Sequence, residues 1–329
     1  MIKVSIIVPV YNVSPYICDC LMSVMSQTYT GCMECLIIDD CGTDDSIAIS
    51  ERMIADYTGS IQFRILRHKQ NRGLSAARNT GTLQATGNYV FYLDSDDTIS
   101  HDCIEKLISP ILRDDSIEMV QGNVKRHKSI RESLRQFGKK YVPIATTNEE
   151  VRKTYFHLKQ MNVTVWNKLI RRDFLINNDI FCMEGVLFED YLWTFIFLKY
   201  LHKVAFVSDI TYYYRIRPNS ISTGTDQRTK DINCSIINYE IMTHLTPGFE
   251  RDELNFYARD INGLYVNRMY DVPEFKKVFL LCRDNCRQYG GWWLRLLLTF
   301  GQLLGNYRNR KNRIFITYGL LRTDKYILL

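Results

Sequence analysis

The sequence predicts an α/β fold: a mostly parallel, open, Rossmann-like sheet flanked by helices, with a C-terminal helical extension. Three observations predict it. Apolar strands alternate with amphipathic helical stretches from Lys3 to Leu93, the βαβ rhythm that builds a parallel sheet with right-handed crossovers. The first strand is a near-continuous apolar run rather than an alternating one, as expected where both faces are covered. Beyond Gly224 strand signals give way to helical periodicity.

Taken in order, Lys3 to Val10 is the first strand, and Ser14-Pro15 supplies an N-cap and a proline for a helix with Ile17, Leu21, Val24 and Met25 on its apolar face. Glu34 to Ile38 is strand two. After the turn Cys41-Gly42, Thr43 or Asp44 caps a helix that turns Ile47, Met53 and Ile54 inward. Ile61 to Leu66 is strand three, Ser75 to Gln84 a helix closed at Gly87, and Asn88 to Leu93 strand four. Ser100 to Leu112 continues as a helix, Glu118 to Val124 as a strand, and Tyr191 to Tyr200 as a helix. Asp231 to His244 and Arg251 to Tyr270 carry helical periodicity. The predicted units are residues 1–223, in two parts over 1–99 and 100–223, and a helical extension over 224–329.

Every one of these first four strands ends in polar residues: Asn12, then Asp39 and Asp40, then Arg67 and His68, then Asp94. In open α/β sheets ligands bind outside the carboxyl ends of the strands, so the pattern gathers these groups around one crevice. The first turn, Pro9-Val10-Tyr11-Asn12-Val13-Ser14, lacks the glycines that let a backbone approach a pyrophosphate, and no P-loop pattern occurs. A cation held by carboxylates is the substitute. Leu93-Asp94-Ser95-Asp96-Asp97 supplies one candidate, because an Asp-x-Asp pair on a loop aims oxygens at one hard divalent ion, Mg²⁺ or Mn²⁺. An acidic turn leading into the next helix is the structural alternative, and it suits Asp97 better than Asp94 or Asp96. The position that corresponds to the calcium-loop glycine is Ile99, which argues against an EF-hand.

Val4-Ser5-Ile6-Ile7-Val8-Pro9-Val10-Tyr11-Asn12, Ile38-Asp39-Asp40, Asn71-Arg72-Gly73-Leu74-Ser75-Ala76-Ala77-Arg78-Asn79 and Leu93-Asp94-Ser95-Asp96-Asp97 together resemble the family 2 glycosyltransferases in order and spacing. The resemblance implies a glycosyltransferase-A fold, a nucleotide-sugar donor (UDP-linked) and Mn²⁺ or Mg²⁺, with a catalytic domain over 1–223 that binds the nucleotide-sugar in 1–99 and has its acceptor half in 100–223. It assigns Asp40 to the nucleobase and Pro9, Tyr11 and Asn12 to the nucleoside wall. Asp94 and Ser95 fall beside the ribose or sugar, Asp96 with Asp94 on the metal, and Arg78 near the donor sugar and phosphate. The family's glycine directly after the Asp pair is replaced here by Cys41, with Gly42 second.

In the acceptor half, Phe188-Glu189-Asp190-Tyr191 places an acidic pair between an apolar run and an aromatic helix. It reads either as a helix N-terminus or as the family's Glu-Asp motif, which implies Asp190 as general base with Glu189 second. Val165-Trp166-Asn167-Lys168-Leu169 is either a segment beneath the site or core packing by Trp166. Tyr212-Tyr213-Tyr214-Arg215-Ile216-Arg217 resembles the strand and loop after the base, which implies Arg215 and Arg217 on the diphosphate; an exposed strand end is the alternative. Lys125 to Lys140 is basic and weakly periodic, a surface excursion or an acceptor contact.

Composition narrows the class. The chain has 329 residues, 24% of them charged, and a net charge of +6, which is too mild for a nucleic-acid footprint. The chain runs straight into its first strand, which predicts no leader, and no apolar run reaches the ~20 residues of a membrane span. The ten cysteines are expected as reduced thiols, since Cys32-Met33-Glu34-Cys35 precedes a strand and has no second pair at zinc spacing. No acidic residue occurs from Asn285 through Thr323, a stretch that holds Trp292, Trp293 and a basic run from Arg308 to Arg313. Residues 292–313 are therefore expected either to pack on the catalytic domain or to make a peripheral membrane contact.

The expected function is metal-dependent, inverting transfer of a hexose from a nucleotide-sugar to a saccharide or lipid-linked saccharide acceptor. Cell-surface or capsular polysaccharide assembly is the expected setting, in the cytoplasm or on the inner face of the plasma membrane. The alternatives are a catalytically silent nucleotide-sugar-binding subunit and a nucleotidyltransferase; the latter needs a basic glycine-rich loop after strand one that this chain lacks.

Overall fold

The structure, a computed structural model, describes residues 2–127, 134–135, 141–217, 220 and 224–310. The described chain divides into two compact units. One runs to Gly185 and resumes at Glu189–Arg217; the other takes Val186–Phe188 and the described residues from Ser220 onward.

The first unit is built on one mixed sheet. Its leading half is parallel: β1 (Val4–Val10), β2 (Met33–Asp39), β3 (Gln62–Arg67) and β4 (Tyr89–Tyr92), separated by α1 (Ile17–Met25), α2 (Ser46–Ala55) and α3 (Leu74–Gln84). Then follow β5 (Thr98–Ile99), α4 (Cys103–Arg113), β6 (Met119–His127), β7 (Leu134–Arg135), β8 (Ile144–Ala145), α5 (Asn148–Phe156), β9 (Lys168–Arg171), α6 (Arg172–Asn177), α7 (Glu189–Tyr200) and β10 (Val204–Arg215). The strand order is β3-β2-β1-β4-β9-β6-β10-β5, with β7 beside β6 and β8 beside β10. β9 runs antiparallel to both β4 and β6, while β6 and β10 are parallel.

This order creates the cleft. The chain steps outward from β1 through β2 to β3, then returns to place β4 on the other side of β1. Between β1 and β4 the order reverses, and such switch points are where α/β sheets bind ligands. β4 pairs with β1 only from Val4↔Tyr89 to Ile7↔Tyr92. Pro9, which has no N–H to give a second neighbour, lies past that end, where the two strands part.

β1 is buried along its whole length, as the unbroken apolar run requires. Ile17, Leu21 and Val24 of α1 and Ile104, Leu107, Ile108 and Ile111 of α4 join it in one core. Two helix starts differ from the sequence reading. Ser14-Pro15 begins a turn rather than capping α1: the N–H groups of Tyr16 and Ile17 donate to Val13 O, and Ser14 N donates to Asp44 Oδ2 at 2.7 Å. The helix expected from Ser100 starts at Cys103, because Ser100 N donates to Thr211 O and the preceding Thr98–Ile99 is recruited as a strand against β10.

The second unit is helical: α8 (Gln227–Thr243), α9 (Glu250–Leu264) continued by a π-helical turn (Tyr265–Met269), α10 (Pro273–Gln288) and α11 (Trp292–Arg310). Ile237, Ile241, Leu254, Ile261, Phe275 and Phe279 are buried in it, and Tyr265 stacks on Phe279 with centroids 4.0 Å apart. Cys282 and Cys286, one turn apart, are buried free thiols of this core. Among the described residues no helix is long and apolar enough to cross a membrane.

Candidate active site

The site assembles at the carboxyl ends of β1, β2 and β4, with α7 closing it from later in the chain. At the tip of β1, Tyr11 is half-exposed and Asn12 adopts φ 50°, a left-handed conformation that asparagine tolerates. Asn12 Oδ1 accepts from Thr43 N at 2.8 Å, tying the β1 tip to the turn after β2. Cys41, in the place where the family has glycine, also takes a left-handed φ of 63°. Gly42 next to it packs closely on the β1 tip, since a Cβ there would stand 3.1 Å from both N and Oδ1 of Asn12. Pro9 is buried within β1 opposite Ile38. It therefore offers less surface to a ligand than Tyr11 does.

Asp40 has a task that sequence reasoning missed. It is buried, and it accepts from the backbone N–H of Arg72 at Oδ1 and of Gly73 at Oδ2, both at 2.8 Å. His68 Nδ1 lies 2.6 Å from the same Oδ1, and its Nε2 lies 2.9 Å from Thr80 Oγ1. Three of the roughly four acceptor positions of a carboxylate are thus filled from within. Asp40 positions the loop that delivers Gly73, at φ 87°, to the start of α3. Polar residues ending adjacent strands were the signal; which of them would bond one another lay in the loop geometry.

α3 carries Arg78, which is buried and sits at the centre of the site. Its Nη2 donates to Asp94 Oδ1 at 2.8 Å, and its Nη1 donates to Glu189 Oε1 at 2.5 Å and Asp190 Oδ1 at 3.3 Å. Arg78 Nε is buried with no partner among the described residues. One guanidinium therefore bridges the Asp-x-Asp loop and the acidic start of α7, residues separated by nearly a hundred positions. The fork geometry of arginine permits this and the point charge of lysine does not.

The loop after β4 is held from beneath. Asp97 is buried and accepts from Tyr212 Oη at 2.8 Å and from Arg215 N at 2.7 Å. Trp166 stacks on Tyr212 at 4.4 Å, so its packing role and its place under the site are one thing. Asp96 is partly exposed, and Arg217 Nε donates to its Oδ2 at 2.5 Å. Arg215, expected on the diphosphate, instead pairs with Asp19 at 2.8 Å. Its guanidinium and that of Arg217 both lie over the Tyr16 ring, 5.2 and 5.4 Å from its centroid. Arg217, two residues past the end of β10, is the one of the two whose guanidinium meets the Asp-x-Asp pair. Ser95 is nearly fully buried between Asp94 and Asp96 and offers less surface to a ligand than the sequence implied.

The electrostatics are those of an acidic cluster short of positive charge. Burial, and then Asp94, pushes the Asp96 carboxyl above its ordinary value against the pull of Arg217. Burial, with Asp96 and Asp94 adding to it, does the same to Asp97. Burial raises Glu189, with Asp190 beside it, and also Asp190, although Arg78 opposes both shifts. Each of these groups gains from an added cation. Among the described residues no three acidic, histidine or cysteine side chains converge to hold a metal by themselves. The pair Asp94 and Asp96 nevertheless fits Mg²⁺ or Mn²⁺, which bind through one or two carboxylates and leave positions to substrate phosphates.

Comparison with known proteins agrees with this geometry. The Glycosyl transferase family 2 model matches residues 5–177. The chain belongs to glycosyl transferase family 2. Among its relatives, the uncharacterized glycosyltransferase YibD of Escherichia coli K12 is 29% identical over 282 residues, covering 83% of this chain and 75% of YibD. The cholesterol galactosyltransferase of Borreliella burgdorferi is 32% identical over 296 residues, 85% of this chain and 76% of that protein. Residues 1–349 of Staphylococcus aureus TarS, solved in complex with UDP-GlcNAc, superpose with a TM-score of 0.70 at 21% identity, covering 96% of this chain and 95% of that one. A Pyrobaculum calidifontis mannosyltransferase with GDP-Man and Mn²⁺ gives 0.57 at 15% identity, over 93% and 81%. The fold of this family 2 enzyme is thus glycosyltransferase-A.

Proposed function

We propose that the enzyme transfers a hexose from a UDP-sugar to an acceptor hydroxyl with inversion, and that the acceptor is a saccharide, free or lipid-linked, of a cell-surface polysaccharide. The observation that carries this reading is Arg78 joining the two acidic groups across the switch-point cleft. The UDP complexes of a protein with the same fold support the donor, and the name of the sterol-modifying relative supports a lipid-borne acceptor.

In this reading the nucleoside lies at the tips of β1 and β2, against Tyr11 and Asn12, with the remaining acceptor position of Asp40 taking the base N–H. Asp94 contacts the ribose or the sugar. Asp190 takes the proton of the attacking hydroxyl, and a carboxyl whose affinity for protons is raised by burial is suited to that task. Arg78 holds Asp190 and Asp94 in register and presents positive charge to the donor side. Arg217, and Arg215 after leaving Asp19, supply further positive charge toward the diphosphate. Mn²⁺ or Mg²⁺ held by Asp96 with Asp94 would supply the charge that stabilises a departing nucleotide.

The test uses the purified chain with UDP-sugars and Mn²⁺. Asp96→Ala is expected to abolish transfer and to weaken metal-dependent UDP binding. Asp190→Asn is expected to abolish transfer and leave UDP binding unchanged. Full transfer by Asp190→Asn would remove the assigned base. The basic stretch Lys125–Lys140, a candidate acceptor contact, falls largely outside the described residues.

A further inference from the structure

α11 carries two apolar stripes where a surface helix needs one. Leu294, Leu298 and Gly301 face inward and are buried, and a side chain at Gly301 would collide with Asn262. That stripe is what holds the helix to its unit. Trp292, Trp293, Leu296, Phe300 and Leu303 are 55–71% exposed. At the rotation of an α-helix they fall within an arc of about 100°, on the side away from the buried stripe. Scattered exposed apolar residues need no explanation, but large aromatic and aliphatic side chains aligned on one helix do.

The charge along the sequence of this segment points to an occupant. From Asn285 through Thr323 the chain has seven basic residues and no acidic one. Pairing this face with a second copy of itself would set like charges against each other, and the chain's own C-terminal segment is basic as well. An anionic bilayer answers both features: paired Trp and the apolar stripe enter the headgroup boundary while arginines meet lipid phosphates. We propose that the exposed face of α11 is a peripheral docking surface for anionic phospholipid membranes. The inference deepens the lipid-linked acceptor reading, but its readout is independent of it.

The experiment is co-sedimentation of the full chain with vesicles of mixed phosphatidylglycerol and phosphatidylcholine, and with phosphatidylcholine alone. Partitioning is expected to be at least about tenfold stronger on the anionic vesicles, to weaken with added salt, and to blue-shift tryptophan emission. The triple variant Trp292→Ser, Leu296→Ser, Phe300→Ser is expected to lose about tenfold or more of that partitioning with an unchanged melting temperature, since all three side chains are exposed. Equal partitioning by the triple variant would overturn the proposal. So would a dimer that the triple variant abolishes without vesicle binding, or tryptophans already shielded from iodide in the free protein. UDP binding by calorimetry is measured alongside: its absence from the wild type would count against the transferase reading, and not against the docking surface.

Discussion

The two ends of the same sheet handle buried carboxylates in opposite ways. At the amino end of the strands, Glu34 is buried, yet it accepts from Ser5 Oγ at 2.6 Å and from the backbone N–H and hydroxyl of Thr86, with Lys3 and Arg64 within 4 Å. Burial pushes its carboxyl up, but these bonds and Lys3 outweigh it, and Glu34 titrates below its ordinary value. At the carboxyl end, Asp96, Asp97, Glu189 and Asp190 are all pushed up. The amino-end carboxylate is satisfied by its own fold and stabilises it. The carboxyl-end groups are held together by Arg78 and Arg217 at a cost that an incoming cation or proton relieves. A buried acid that the fold leaves under-neutralised points to chemistry; one that the fold satisfies does not.

Arg78 is where this contrast breaks most severely. Arg78→Met leaves Asp94, Glu189 and Asp190 without their shared cation, and breaking a buried pair of this kind costs about 3–5 kcal/mol. The expected result in chemical denaturation is a loss of that size, together with loss of transfer. Next comes a reciprocal pair. Glu34→Gln is expected to cost about 1–2 kcal/mol of stability and leave transfer intact. Asp190→Asn is expected to reduce transfer by about a thousandfold or more while leaving stability unchanged or slightly raised. If both variants lost stability equally, the two ends would be structural alike.

The pH dependence sharpens the same distinction. Glu34, lowered on folding, contributes stability above its unfolded value, and that contribution is lost as pH falls toward its folded value. The raised carboxylates of the site act with the opposite sign: they are neutral and harmless at low pH, and stability is lost as pH rises through their folded values. Glu34→Gln is therefore expected to flatten the acid limb of melting temperature against pH, and Glu189→Gln the limb above it. The smallest effect lies at the turn. Cys41→Gly relieves a left-handed backbone at the expense of a weak thiol contact to His68 O and is expected to stabilise by about 0.5 kcal/mol in denaturant titration.

Much of the parallel half was legible because strand burial, helix periodicity and turn residues are local signals. Lys3–Val10, Ser75–Gln84 and Tyr191–Tyr200 were each placed within about two residues, the usual spread at helix and strand ends. The misplaced starts at Ser14 and Ser100 share a cause: the backbone N–H of each serine donates to a distant group, Asp44 in one case and Thr211 in the other, which holds the chain in a turn or beside a strand before the helix begins. The site residues were legible as types at the ends of strands. Their pairings were not, since Arg78 meets Glu189 across more than a hundred residues of chain.

The linear order of residues determined the alternation of strands and helices, the gathering of polar groups at one sheet edge, and the basic, aromatic character of the last helix. Those follow from periodicity and composition, which act within a few turns of chain. Tertiary structure alone decided that Asp40 braces a loop, that the guanidinium of Arg217 and not that of Arg215 meets the Asp-x-Asp pair, and that one arginine spans both halves of the cleft. Such choices depend on which groups a long chain brings within hydrogen-bonding distance after it has folded, and spacing along the backbone does not encode that distance.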